Sequence, residues 1–186
     1  MTSSTERRRT GRRRWCVAIL GVVLAAACAR DQAPLGAGPA EAALAAGLAV
    51  SHLDPQPGER ILDLCAAPGT KTAAIAERLA GRGQVLALDR HERRLGLVGR
   101  GLRRLELGGV AVAERDATKS LADLLEHGGP FDRILVDAPC SGLGALRRNP
   151  DARWRVRPED LPELAKVQRA LLESAATLLK PGGVLV

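Results

Sequence analysis

The stretch Ile61–Thr72 constrains the fold of this chain more than any other feature of its sequence. It reads Ile-Leu-Asp-Leu-Cys-Ala-Ala-Pro-Gly-Thr-Lys-Thr. The apolar start predicts a buried strand, the small residues before Thr70 predict a tight turn, and the helix-favouring residues up to Ala80 predict a helix. In α/β proteins such a turn brings backbone N–H groups and the positive end of a helix against a bound cofactor. An ordinary strand-to-helix turn is the alternative that this stretch alone leaves open.

Strand and helix patterns alternate from residue 59 onward. Apolar runs predict strands at 60–64, 84–89, 110–113, 131–137 and 184–186, and helical patterns lie between them at 71–80, 91–105, near 121–125, and at 161–179. Loops are predicted at 55–58 and 138–158. Repeated strand–helix–strand units favour a parallel sheet with right-handed crossovers, so the predicted fold class is α/β.

Acidic residues follow successive predicted strands. They are Asp63, Asp89, Asp116 and Asp137. Ligands of open α/β sheets lie at the carboxyl ends of the strands, so Asp89 is placed to accept the ribose hydroxyls of an adenosine cofactor and Asp116 to meet its adenine amino group. A loop carboxylate or a helix cap remains the alternative for each residue taken singly.

The segment Asp137-Ala138-Pro139-Cys140-Ser141-Gly142 is the second chemical signal. It places the Cys140 thiol just past a buried strand, beside a carboxylate and in a turn of small residues. A cysteine in that setting can approach a ligand, and its thiolate would be a strong nucleophile. The alternative is a small buried apolar side chain.

The positive charge of the chain is unevenly distributed. The formal net charge is +7, of which residues 1–14 carry +5 and the remaining residues +2. A second cluster comprises Arg147, Arg148, Arg153, Arg155 and Arg157 against Asp151 alone. The arginines of that cluster can bind RNA phosphates, or they can lie exposed to solvent on a loop. The four cysteines lack metal-ligand spacing, so we predict neither a disulfide nor a metal site.

Residues 1–30 differ from the rest of the chain. Six arginines precede an apolar run from Trp15 to Ala29, in the manner of a secretory signal peptide or, near Cys28, a lipoprotein cleavage site. The alternatives are a basic arm that helps to hold RNA and a spurious extension, which we favour. Residues 31–58 are predicted to form a linker and a lead-in helix at 41–50.

Together the two motifs resemble the RsmB/Nop2/Sun family of RNA cytosine-C5 methyltransferases. The resemblance rests on 62–72 and 137–142, is supported by Arg147–Asp151, Trp154 and Gln168, and covers residues 41–186. One departure is Thr70, where the family usually has a second glycine. The resemblance implies a Rossmann-like methyltransferase fold with the parallel strand order 3-2-1-4-5.

The resemblance also implies S-adenosylmethionine as the cofactor. Its binding turn would comprise Cys65, Ala66, Ala67, Pro68, Gly69, Thr70 and Lys71. Asp89 would bind the ribose and Asp116 would lie on the adenine side. Asp137 would belong to the cofactor site and would also hold the edge of the pyrimidine. Cys65 would have no catalytic role. We expect four arginines to bind RNA: Arg147, Arg148, Arg153 and Arg155.

In this family a cysteine adds to C6 of the cytosine, which activates C5 for methylation. That nucleophile lies in a second motif just after strand five, and the cysteine that matches Cys140 assists product release. The sequence ends at Val186, before that motif, so we expect 59–186 to be an incomplete methyltransferase domain without its last strands.

Two hypotheses follow. The first is an active enzyme in which Cys140 serves as the nucleophile, and the second is a fragment that binds cofactor or RNA without turnover. We expect a cytoplasmic monomer that acts on RNA, chiefly ribosomal RNA, without metal or stable membrane association.

Overall fold

A computed structural model of the chain describes residues 39–126, 128–146 and 150–186. The predicted extension at 1–30, the first residues of the predicted linker, and two of the predicted RNA-binding residues, Arg147 and Arg148, lie outside the described residues.

Helices and strands alternate along the described chain. In order they are α1 Pro39–Leu53, β1 Arg60–Asp63, α2 Thr70–Leu79, β2 Gln84–Asp89, α3 Glu92–Arg104, β3 Val110–Glu114, α4 Asp123–Glu126, β4 Phe131–Leu135, a 3₁₀ turn Leu143–Ala145, α5 Ala152–Arg155, α6 Asp160–Leu178 and β5 Leu179–Leu185. The strands pair in parallel and form one sheet in the order β3-β2-β1-β4-β5. The predicted α/β class and strand order are confirmed.

The central strand β1 is buried on both faces of the sheet. Ile61 and Leu62 are successive residues, so their side chains point to opposite faces, and both are 0% exposed. Ile61 packs with residues of α1 and α2, whereas Leu62 packs with residues of β4 and α6. Helices therefore cover both faces, which is the arrangement that a parallel sheet of apolar strands requires.

Helix α1 is longer than the sequence predicted, because distant arginines bind its last carbonyl groups. Arg78 of α2 donates to the Val50 carbonyl (3.1 Å) and Arg133 of β4 donates to the Leu53 carbonyl (2.5 Å). Val50 and Leu53 are both fully buried. The helix end thus packs on the sheet and extends past residue 50.

Strand β5 begins five residues earlier than predicted. Its pairing with β4 is irregular between Phe131 and Arg133, where the residues around Gly182 form a bulge that the sequence indicated as a turn. Gly182 has a φ of +82°, a conformation that favours glycine. Lys180 bridges the irregularity through an ion pair with Asp132 (2.6 Å).

The predicted loop at 138–158 is only partly irregular, since it contains the 3₁₀ turn and α5. Both elements are too short for a periodic apolar pattern to reveal them. Among the described residues, no helix has the length and apolar character needed to cross a membrane.

Candidate functional site

The turn between β1 and α2 lies at the carboxyl end of the sheet. The Ala66 N–H donates to the Leu88 carbonyl of β2 (2.8 Å), and Ala66 and Ala67 are buried. Gly69 precedes α2 with a φ of +108°. A Cβ atom at this position would lie 3.0 Å from the Cα atom of Val98 in α3. Glycine is therefore needed here for its backbone conformation and for the close packing of α3 on the turn.

Asp89, at the end of β2, is joined directly to this turn. Its side chain is 4% exposed, and its carboxylate accepts hydrogen bonds from the backbone N–H groups of His91 (3.0 Å) and Ala67 (3.4 Å). Arg94 of α3 lies 3.5 Å from the same carboxylate and also donates to the Ala67 carbonyl (3.0 Å). The predicted ribose-binding acid and the predicted cofactor turn are thus adjacent, and Arg94, which the sequence did not single out, holds them together.

Asp63, the last residue of β1, is a buried carboxylate beneath the turn. It is 1% exposed, and its Oδ2 accepts a hydrogen bond from the Thr72 hydroxyl (2.8 Å). Its Oδ1 has no hydrogen-bond partner among the described residues. Burial raises the pKa of Asp63 from 3.8 to about 6; the Thr72 hydrogen bond lowers it and the charge of Asp137 raises it. The site therefore contains a carboxylate oxygen that can accept one more donor.

Lys71, in the first turn of α2, forms an ion pair with Asp137. The Nζ–Oδ2 distance is 2.6 Å, and the side chains are 14% and 28% exposed. Asp137 follows the end of β4 by two residues. The pair connects the two motifs of the sequence, which are 66 residues apart along the chain. Two predicted site residues are therefore in contact, and Lys71 reaches from the turn to the second motif.

Cys65 lies among these carboxylates. It is half-buried, and burial raises the pKa of its thiol to about 12, with further contributions from the charges of Asp63, Asp89 and Asp137. The charge of Arg94 acts in the opposite direction. At neutral pH Cys65 is a protonated thiol, which is a poor nucleophile.

Cys140 is half-buried in the loop that follows β4. That loop is fixed by Gln168 of α6, whose side-chain amide donates to the Pro139 carbonyl (2.9 Å). Gln168 is one of the residues that support the family resemblance, and the structure shows that it binds the second motif. The second motif is thereby attached both to α2, through Asp137, and to α6.

Asp116, the predicted adenine-side acid, lies just past β3. It accepts hydrogen bonds from the hydroxyl (2.6 Å) and the N–H (3.1 Å) of Thr118. These bonds, chiefly the one from the hydroxyl, lower the pKa of Asp116, and the charges of Lys119 and Arg90 add to the effect. Since Arg90 follows β2, Asp116 belongs to the same edge of the sheet as Asp89, although it is more exposed.

Two predicted RNA-binding residues, Arg153 and Arg155, lie on α5 with exposed side chains. They lie in the segment between the second motif and α6. No group of three or more His, Cys, Asp or Glu side chains that could hold a metal ion is found in 39–126, 128–146 and 150–186. A groove of about 720 Å³ between α1, α2 and α3 is lined in part by Pro68, Gly69 and Thr70 of the turn, but not by Asp63, Asp89 or Asp137.

A comparison with known protein families decides what this arrangement is. The family model for the 16S rRNA methyltransferase RsmB/F matches residues 50–186. The chain belongs to this family. The resemblance to the RsmB/Nop2/Sun family is therefore confirmed, and the turn, Asp89 and the Lys71–Asp137 pair lie within the matched RsmB/F domain.

Relatives and solved structures share this RsmB/F domain. "Ribosomal RNA small subunit methyltransferase B" of Vibrio cholerae is 47% identical over 142 residues, which cover 76% of this chain and 32% of the relative. The crystal structure of PH0851 has a TM-score of 0.70 and 39% identity over 75% of this chain and 31% of its own. The structure of NSun6 from Pyrococcus horikoshii with SFG has a TM-score of 0.65 and 33% identity over 75% of this chain and 35% of its own. The chain spans about a third of the length of the curated relatives it matches. The predicted Rossmann-like methyltransferase fold is confirmed.

Proposed function

We propose that this chain forms the S-adenosylmethionine-binding part of an RNA cytosine-C5 methyltransferase that acts on 16S ribosomal RNA in the cytoplasm. The proposal is supported by the family match and by the related NSun6 structure, which contains SFG, an S-adenosylmethionine analogue. The observation that carries it is the convergence of three carboxylates on the turn and the start of α2: Asp89 accepts from Ala67, Asp137 from Lys71, and Asp63 from Thr72.

The residues at the turn fit such a cofactor. The Oδ1 atom of Asp63 is buried without a hydrogen-bond partner among the described residues, so it can accept a donor from a ligand. The start of α2 has no side-chain cap, which leaves its first N–H groups and the positive helix end to meet a carboxylate. The turn 65–71, Asp89 and Asp116 would hold S-adenosylmethionine. When bound, the cofactor supplies an electrophilic methyl group on a sulfonium.

The second motif faces the base in this proposal. Asp137, oriented by Lys71, would hold the polar edge of the cytosine and stabilise the charge that develops on the ring. Cys140, in the loop fixed by Gln168, would assist release of the methylated product, as the family pattern implies. Because the target base must leave its stack to reach these residues, an unpaired or flipped cytidine is the expected substrate.

Calorimetric titration of S-adenosylmethionine tests the cofactor site. Asp89→Asn keeps the shape of the side chain and removes its charge. We expect its affinity to fall about 10- to 100-fold, because hydrogen bonds to a charged group contribute about 1.5–3 kcal/mol. Asp132→Asn, at the opposite end of the sheet, is the matched control and keeps wild-type affinity. Equal affinity of wild type and Asp89→Asn would contradict the assigned role.

Methyl transfer is measured separately, with radiolabelled S-adenosylmethionine and unmodified 16S ribosomal RNA. The proposal expects label in 5-methylcytosine. Cofactor binding without transfer, under conditions in which a full-length relative is active, would instead assign this chain a binding role. Absence of both would refute the proposal.

A further inference from the structure

Trp154 is unusually exposed for a side chain of its size. Phe131 and Trp154 are the two Phe, Trp or Tyr residues in the described parts of the chain, and Phe131 is 0% exposed whereas Trp154 is 77% exposed. Within 46–126, 128–146 and 150–186, the next most exposed large apolar side chain is Leu48, at 53%. An indole that gains so little from burial in its own fold is available to bury a surface of a partner.

The backbone that carries Trp154 is nevertheless well anchored. Ala152, two residues before it, is 5% exposed and fixes α5 to the domain. The Trp154 N–H donates to the Asp151 carbonyl (3.0 Å), and the Val156 N–H donates to the Ala152 carbonyl (3.1 Å). The guanidinium of Arg153 lies over the indole, 4.7 Å from the ring centroid. The ring is thus presented to solvent from a short helix, with a cation against one of its faces.

The connection that contains α5 starts and ends at the carboxyl edge of the sheet. The preceding strand, β4, ends at Leu135, and the loop after it carries Asp137 and Cys140. The next helix, α6, starts at Asp160 and returns to the start of β5, which runs parallel to β4. A helix between parallel strands begins at their carboxyl ends. The segment that contains Trp154 therefore joins two points on the edge that carries the site.

The charge around Trp154 indicates the chemistry of the partner. Residues 150–158 contain Arg153, Arg155 and Arg157 against Asp151 alone. An exposed indole among arginines matches the combination by which proteins bind unpaired nucleotides, in which a base stacks on the aromatic ring and cations meet the phosphates. A base pair within a helix keeps its faces covered by its neighbours, so a duplex cannot use the ring in this way.

We propose that Trp154 is a stacking platform for an unpaired base next to the methylated cytidine, with Arg153 bracing the ring. This inference rests on the proposed function and adds a contact to the flanking RNA, outside the residues that bind cofactor and target base. It makes the enzyme select a single-stranded context around its target.

Intrinsic fluorescence tests the stacking directly. The chain has two tryptophans, so Trp15→Phe leaves Trp154 as the sole indole. We expect a non-self-complementary RNA of about 12 nucleotides, within the range of single-strand site sizes, to quench this fluorescence in a saturable manner. The same sequence in a preformed duplex is expected to leave it unchanged. Absence of quenching by a single strand that binds, measured by anisotropy of labelled RNA, would overturn the proposal.

Affinity measurements on variants complete the test. We expect Trp154→Ala to weaken single-strand binding about 5- to 100-fold, the effect of losing one base–aromatic stack. Trp154→Phe should restore most of that loss. Leu172→Ala removes a 49% exposed apolar residue of α6 and should bind as the wild type does. A uniform loss in all three variants, or none in Trp154→Ala, would refute the stacking role.

The calorimetric titration separates this inference from the proposed function. All variants are expected to bind S-adenosylmethionine with wild-type affinity, because α5 does not contribute to the cofactor turn. Wild-type methyl transfer with unchanged RNA affinity in Trp154→Ala would refute the platform alone. Failure of the unmodified protein to bind cofactor and RNA would refute both.

Discussion

Replacing Asp63 with asparagine tests the electrostatics of the site most sharply. The carboxylate is 1% exposed, and burial, the largest cause, raises its pKa from 3.8 to about 6. An acid whose pKa is higher in the folded than in the unfolded state contributes stability that is fully present below the unfolded pKa. That contribution is lost as the pH rises through the folded pKa. A difference of about two pKa units, at about 1.4 kcal/mol per unit, corresponds to about 3 kcal/mol lost above pH 6.

Asparagine has nearly the same shape, carries no charge and can still accept the hydrogen bond of Thr72. We therefore expect Asp63→Asn to be about 3 kcal/mol more stable than the wild type at neutral pH. The difference in free energy of unfolding should be small near the unfolded pKa and should grow through the window up to about pH 6. Urea denaturation of both proteins at closely spaced pH values measures this directly.

Asp116→Asn is the matched control, because the contribution of Asp116 to stability changes with pH in the opposite direction. The Thr118 hydroxyl lowers the pKa of Asp116, so its contribution is present above the unfolded pKa and is lost as the pH falls. A pH-independent difference between wild type and Asp63→Asn would refute the assignment of a desolvated carboxylate. A loss of stability at neutral pH in Asp63→Asn would refute it as well. In the proposed function Oδ1 of Asp63 accepts a donor from S-adenosylmethionine, so Asp63→Asn is also expected to bind the cofactor less tightly. The buried charge would then lower the stability of the fold and contribute to cofactor binding.

Two further predictions separate packing from charge. Gly69→Ala should lower the free energy of unfolding by about 2–4 kcal/mol, because it combines a positive φ with a 3.0 Å contact to α3. Gly101→Ala, in open space on α3, should raise it by about 0.5–1 kcal/mol; chemical denaturation distinguishes the two, and equal effects would contradict the geometry. Lys71→Met should cost about 1–3 kcal/mol and reduce methyl transfer, because it leaves the partly buried Asp137 without its cation. Lys166→Met breaks an ion pair of the same 2.6 Å length that is about 70% exposed, so its effect on unfolding should stay within about 0.5 kcal/mol, and a similar loss in both variants would argue against burial as the cause.

Much of the fold follows from apolar periodicity. The predicted strand 84–89 coincides with β2, and β1 differs from its prediction by one residue, because buried parallel strands are continuous apolar runs with sharp polar ends. The start of β5 was predicted wrongly. Its bulge depends on pairing with β4 and on the contact of Lys180 with Asp132, which are 48 residues apart.

The candidate site divides in the same way. The sequence indicated the turn around Gly69, the acids after the strands and the motif of Cys140, since these residue types and their spacings are local properties. It did not indicate that Arg94 joins Asp89 to the turn, because that contact depends on the packing of α3. Nor did it separate the exposed Trp154 from a core residue, since exposure is a property of the assembled surface.

The sequence by itself determined which chemical groups this protein has and at which strand ends they lie. Only the tertiary structure decided their state: Lys71 paired with Asp137, Asp63 buried with one oxygen unpartnered, and Cys65 held as a thiol. The physical reason is that desolvation and charge pairing depend on distances between segments far apart in the chain. These distances are set when the strands align in the sheet.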